Sequence, residues 1–532
     1  VAAVWLCASG LANAEPAAAD DVAKLAAEID RLIEARWRAS SARPADRADD
    51  AEFLRRVWLH IGGSIPPVAT TRAFLADESS DKRRRMVDEL LESSGYVVHF
   101  TRTWRRAMLP ETESDLQTRF VVPGFEAWLR EKLASNVPYD RLVREIVATP
   151  LESGNQQDYF QRLQSASPLA FFQAKQVAPE NLAAATSRIF LGVRIECAQC
   201  HDHPFDKWKR DQFWSYAAFF AGIERQRQGD FIGVVREIED RREINVPDSG
   251  RVVQATYLDG SQPQWRFRVG PRQTLADWLT SRDNPLFARA AVNRMWGHFF
   301  GVGIVEPIDD FTETNPPSHP ELLDLLAQEF AAHDFDLKFL IRAITASRAY
   351  QLTSRQGDAS QDLPLTFARM SLQGLSPEQL YDSLLQASGA YEPFQTNRAF
   401  IFGGSPQGDF LESFADEGAP KTDRETTILQ ALAMMNGAQV AQATSPQAKG
   451  TLGAVVDAPF LDTAGRIEAL YLAALSRPPR AEELQRLVAY VDGDSAASES
   501  PEGNKEGKHA SSSRLGNVFW ALLNSTEFLM NH

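Results

Sequence analysis

Cysteine is almost missing from this chain, with three in 532 residues, at positions 7, 197 and 200. A stapling disulfide framework is thereby excluded, because such scaffolds are small and cysteine-dense. Positive charge is also scarce. The 56 lysines and arginines stand against 71 aspartates and glutamates, a formal net charge of −15. General nucleic-acid binding needs the opposite balance and is not expected. The local run Lys82-Arg83-Arg84-Arg85 reads as a solvated helix face. Nothing after the first residues approaches the ~18 uninterrupted apolar residues of a membrane span. The chain also lacks a Gly-x-Ser-x-Gly elbow, and Gly301-Val302-Gly303 lacks the third glycine of a dinucleotide loop, so no hydrolase or nucleotide site declares itself.

What is present is an ordinary globular balance, 44% hydrophobic and 24% charged, over a length that calls for more than one core. The opening VAAVWLCASGLANAEPAAAD has a short apolar run from Val1 to Ala8 and an A-x-A site at Ala12-Asn13-Ala14. Residues 1–14 are therefore expected to be the remnant of a secretory signal, and the protein periplasmic or secreted. Cys7 would leave with that segment. The mature chain would then hold its whole thiol content in one place.

Helical periodicity dominates. It predicts helices over 22–39 (with Asp20 and Asp21 as caps), 51–60, 81–91, 96–108, 125–134, 139–148, 181–193 and 211–220. It resumes over 275–281, 286–300, 320–332, 337–347, 377–388, 464–474, 481–491 and 515–528. Gly62-Gly63-Ser64-Ile65-Pro66-Pro67 is a strong breaker. Between 231 and 270 the pattern alternates with turn residues and predicts short strands. The polar stretch 493–513 reads as a mobile loop. The fold class expected is mainly α, two helical domains with a small β insertion between them.

The cysteines stand in ECAQCHDHPFDKW, residues 196–208. Cys-x-x-Cys-His suits covalent haem c: Cys197 and Cys200 would bond the two vinyl groups, and His201 would reach the iron. An exported protein is where such attachment occurs. Zinc is the alternative, with Cys197, Cys200 and His201 or His203 as ligands, although no second pair completes a tetrahedron. A redox dithiol and an ordinary structural role also remain open. On the far side of an iron, His298 and Met295 share a face of the helix 286–300. His298 is the favoured protein ligand there, ahead of Met295, with Trp296 and Phe299 as walls and Arg294 as a partner for a propionate; an open or water-bound site is the alternative. Phe213, Trp214, Tyr216, Phe219 and Phe220 form an aromatic stripe that reads as core or as a haem wall. Asp309-Asp310 reads as a turn, and His319 as structural at a helix entry.

Several blocks resemble a known family pair. SRIFLGVRIECAQCHDHPFDKW (from Ser187) and DDAEFLRRVWLHIGGSIPP (49–67) are similar to the planctomycete-specific cytochrome C-like domain. LFARAAVNRMWGHFFGVGIVEPIDDF (286–311), PPSHPELLDLLAQEF, DLKFLIRAITASRAYQL and ALLNSTEFLMNH resemble the C-terminal partner domain of unknown function that follows it. The resemblance implies a cytochrome C-like helical domain at 20–225, a β-rich insertion at 226–272 and a helical partner domain at 273–532. It also implies Cys197 and Cys200 as thioether positions and His201 as the proximal ligand, but no established reaction. The expectation is an exported haem c protein in electron transfer or haem-dependent oxidation with a redox partner protein. The alternative is a binding or scaffold protein with structural zinc.

Overall fold

In the computed structural model the described residues are 14–113, 116–151, 155–225, 235–390, 406–414, 428–445, 447–493 and 501–532. Apolar residues at helical spacing decide most of the architecture. In Tyr139–Ala148, Tyr139, Leu142, Val143, Ile146 and Val147 all face inward, the i, i+3, i+4, i+7, i+8 stripe of a helix lying on a core. Starts and stops follow local chemistry. Asp49 and Ser93 accept from the Glu52 and Tyr96 amides, and Ser376 with Gln379 forms a capping box. Prolines open Pro179–Leu191, Pro285–Phe300, Pro320–Ala332 and Pro377–Ser388.

The chain is mainly α-helical, as its periodicity predicts. Strands are confined to small ribbons among the described residues. Ile223–Arg225 pairs antiparallel with Val235–Glu237, and Glu243–Val246 with Arg251–Gln254. Gln373–Gly374 pairs with Met530–Asn531 near the C-terminus. Residues 231–234 of the expected strand region, and the opening 1–13 with most of its expected signal, lie outside the described residues. No helix among the described residues is long and apolar enough to cross a membrane.

Three local expectations change. The first helix runs from Ala14 to Ser40, so Asp20 and Asp21 sit inside it and pair with Lys24 instead of capping it. The stretch expected as a loop over 493–513 is helical from Pro501, continuing to Leu523. Its Glu, Lys and Ala content is helix-forming, and polarity alone does not prevent a helix. Ser525 then caps a separate turn, Thr526–Leu529. Within the basic run, Arg84 and Arg85 are exposed but Arg83 is turned inward, packed over Phe53 and bonded to Asp50 and the Ala48 carbonyl. It shares the helix face of Met86, Val87 and Leu90.

One continuous apolar core runs from Leu25 to Met370, so helices on both sides of the β ribbons share it. A second gathers Leu380 to Phe528 and takes in Leu59 and Ile65 from the N-terminal part. Adjacent arginines stitch the two. Arg55 donates to the Ala474 and Phe528 carbonyls at 3.1 and 2.9 Å. Arg56 donates to the Tyr350 and Leu352 carbonyls at 2.7 and 2.8 Å and pairs with Glu52 at 2.6 Å. Buried charge persists only with such partners.

Candidate functional site: the cysteine–histidine turn

The helix Pro179–Leu191 ends at Gly192, whose φ of +69° lets the chain reverse. A short 3₁₀ turn, Glu196–Gln199, follows and carries the motif. Cys197 lies within this turn, and Cys200 caps its C-terminal end. Both are exposed free thiols. The turn hangs on the interior by its small residues: Ala198 is buried, and the buried Trp214 donates from its indole to the Gln199 carbonyl at 3.0 Å. The rest of the aromatic stripe, Phe213, Tyr216, Phe219 and Phe220, is buried core.

His201 is exposed, and its Nδ1 lies 2.8 Å from the Asp202 carbonyl. A carbonyl can only accept, so this contact places the proton on Nδ1 and leaves the Nε2 lone pair outward. Metal-bound histidines commonly have that arrangement. His203 differs: its Nδ1 accepts from the Phe205 amide at 3.3 Å, and its own amide donates to the Trp208 carbonyl. Asp202 accepts from the Arg210 amide and pairs with Lys209, and these contacts hold its carboxyl below the usual carboxylate range.

Beside the turn is an open cavity of about 500 Å³. Cys200 and His201 face Asp202, Lys209, Asp211 and Arg251 across it, with Val246 the aliphatic contribution. Arg251 and Asp211 are ion-paired. Two outward thiols and a correctly oriented imidazole are the donors that haem c needs, so the donor set fits. The charged walls do not enclose a flat apolar ring. For zinc, no three His, Cys, Asp or Glu side chains among the described residues are grouped to hold an ion.

The fourth expected ligand stands elsewhere. His298 is buried, its Nε2 2.9 Å from the His60 carbonyl. Its ring packs against His60, His99, Phe100 and Phe299, with centroids 5.0–5.7 Å away. Met295, Trp296 and Phe299 are buried in the same core. Thus Cys197, Cys200 and His201 share one turn, while every contact described for His298 belongs to a separate histidine cluster. Burial holds Arg294 below the ordinary arginine value. His319 is buried at a helix entry, as its sequence context suggests.

Asp309, which reads in sequence as a turn residue, has a further role. Its carboxylate receives Arg188 Nε at 2.6 Å and Arg194 at 2.5–3.0 Å. Burial would raise its pKa, yet the two guanidiniums outweigh that and keep it ionised. Glu196 beside them is pushed up by burial. Nothing local in the sequence links Asp309 to a turn over a hundred residues earlier.

Residues 28–225 match the family PSCyt2, described as a protein of unknown function (DUF1549). Residues 271–401 and 408–491 match PSD1, also described as a protein of unknown function (DUF1553). No curated protein and no solved structure matches the chain. The turn lies in the first match and Asp309 in the second. The chain belongs to the proteins in which a PSCyt2 region is followed by a PSD1 region.

Proposed function

We propose that the chain is an exported c-type haem protein working in periplasmic or extracellular redox chemistry, either as an electron carrier or as a haem-dependent oxidoreductase. Cys197 and Cys200 would hold the haem through thioethers, and His201 would offer Nε2 to its iron. When bound, the haem supplies one-electron chemistry; the protein residues attach and orient it. The observation that carries this reading is the His201 Nδ1 contact to the Asp202 carbonyl, which keeps Nε2 available as a ligand on the segment that also bears two exposed thiols. Lys209 and Arg251 line the cavity, and would have to exchange their pairs with Asp202 and Asp211 to meet the propionates. The cavity is open and polar, which would suit exchange with a redox partner protein.

The test is expression with export, followed by haem staining on a denaturing gel. Wild type should stain, and Cys197→Ala and Cys200→Ala should lose most of the signal. His201→Ala should retain attachment through the thioethers but change the absorption spectrum. N-terminal sequencing of the same exported material should begin near Glu15. A colourless exported protein carrying one equivalent of zinc would replace this reading with that of a zinc-stabilised scaffold.

A further inference from the structure

Asp309 stands 115 positions from Arg194 in sequence, yet it is where the two arginines bracketing the approach to the motif meet. Arg188 belongs to the last turn of Pro179–Leu191, and Arg194 lies three residues before Cys197. Both donate to the Asp309 carboxylate. A second tie reinforces the first. The Phe311 amide donates to the Gly192 carbonyl at 2.9 Å. A Cβ at Gly192 would come within 2.2 Å of the Phe311 ring, so the loop and the helix end are in closest contact there.

The loop holding Asp309 is itself braced. Asn293 donates to the Val305 and Ile308 carbonyls and accepts from the Val305 amide. Asn315 donates to the Glu306 and Asp310 carbonyls. The motif side has less of its own: a single 3₁₀ turn is too short to be stable alone. Its geometry depends on what grips its ends, Trp214 at Gln199 and Asp309 through Arg194.

We infer that Asp309 is a positioning residue for the cysteine pair, so that the PSD1 region supplies the carboxylate that sets the turn bearing Cys197 and capped by Cys200. The site is a composite of the two regions. A PSCyt2 region without the 301–311 loop would keep the three motif residues and lose the anchor of their turn. This inference rests on the proposed function for the importance of the pair, but its test reads the thiols themselves, without haem.

The experiment uses the full chain, reduced and haem-free, equilibrated in glutathione buffers of graded potential. The readout is the effective concentration of one thiol for the other, taken from the Cys197–Cys200 dithiol–disulfide equilibrium, with Tm measured on every variant. Asp309→Asn and Arg194→Gln should each lower it about tenfold, the scale of a lost charge-assisted hydrogen bond. Asp309→Glu should recover most of that loss. Arg348→Gln, which removes an ion pair with Glu34 far from the motif, should leave it unchanged. If Asp309→Asn does not fold, Arg194→Gln decides, because that side chain is part-exposed and its described bonds are only to Asp309. Wild-type behaviour of Arg194→Gln, or an equal fall in Arg348→Gln, overturns the inference. Failure of haem staining in the wild type would leave this result readable and strike only the proposed function.

Discussion

Two parts of the molecule hold chemistry-bearing histidines, and they differ in almost every physical respect. The turn around His201 is exposed, polar and bonded to its own backbone. The cluster of His60, His99 and His298 is sealed among Phe100, Phe299 and Tyr350, where His60 Nδ1 meets the Tyr350 hydroxyl at 3.0 Å. It lies near the arginine seam, on a π-helical segment, Trp58–Gly62, that carries His60. Residue type is therefore a poor guide to role. The sealed cluster is placed to serve stability, and the exposed turn is placed to meet something from outside.

The largest effect that would sharpen this contrast is expected at the seam. Arg56→Ala leaves Glu52 buried without its partner and should cost about 3–5 kcal/mol in denaturant unfolding. An effect on the scale of a surface ion pair, under about 1 kcal/mol, would show that the buried Arg56–Glu52 pair does not anchor the seam.

Next come the histidines themselves. His298→Ala opens a cavity and removes the hydrogen bond to the His60 carbonyl, a loss of about 2–4 kcal/mol. Cys197→Ala and His201→Ala, at exposed positions of a haem-free protein, should stay within about 0.5 kcal/mol of wild type. Equal losses at the two sites would break the comparison.

A smaller effect should appear as a pH dependence. Burial, aided by the positive charge of Arg36, lowers the His319 pKa from 6.5 to about 4. The unfolded chain therefore takes up the proton first, and the contribution of neutral His319 is present above pH 6.5 and lost as pH falls from 6.5 towards 4. The loss should be about 3 kcal/mol over that window. His319→Phe should flatten the slope when Tm is followed across it. Asp30, raised to about 6 by burial, works the other way, losing stability as pH rises from 3.8 to 6.

Legibility differed between levels of structure. The helices Tyr139–Ala148, Pro320–Ala332 and Pro377–Ser388 appear where periodicity and caps place them. Their signals lie within one or two turns of chain. The 501–513 helix is hidden in the sequence because its polar composition resembles a loop, although Glu, Lys and Ala are good helix formers. The inward turn of Arg83 was missed for a related reason, since one charged residue in a basic run can find Asp50 and an aromatic face. At the site, the three motif residues were legible because they are neighbours. The partner of their turn was not, because Asp309 looks like any turn aspartate until Arg188 and Arg194 arrive beside it.

The sequence by itself determined the helical class, most helix positions and the make-up of the Cys197–Cys200–His201 turn. Each depends on periodicity, capping or spacing between near neighbours, and such interactions act before any distant segment is in place. Only the tertiary structure decided that His298 belongs to a buried histidine cluster, that Arg55 and Arg56 stitch two cores, and that the motif rests on Asp309. Those outcomes join residues far apart in the chain. Core packing selects them: it buries a charge only where partners converge, and the geometry of that convergence is a property of the assembled helices.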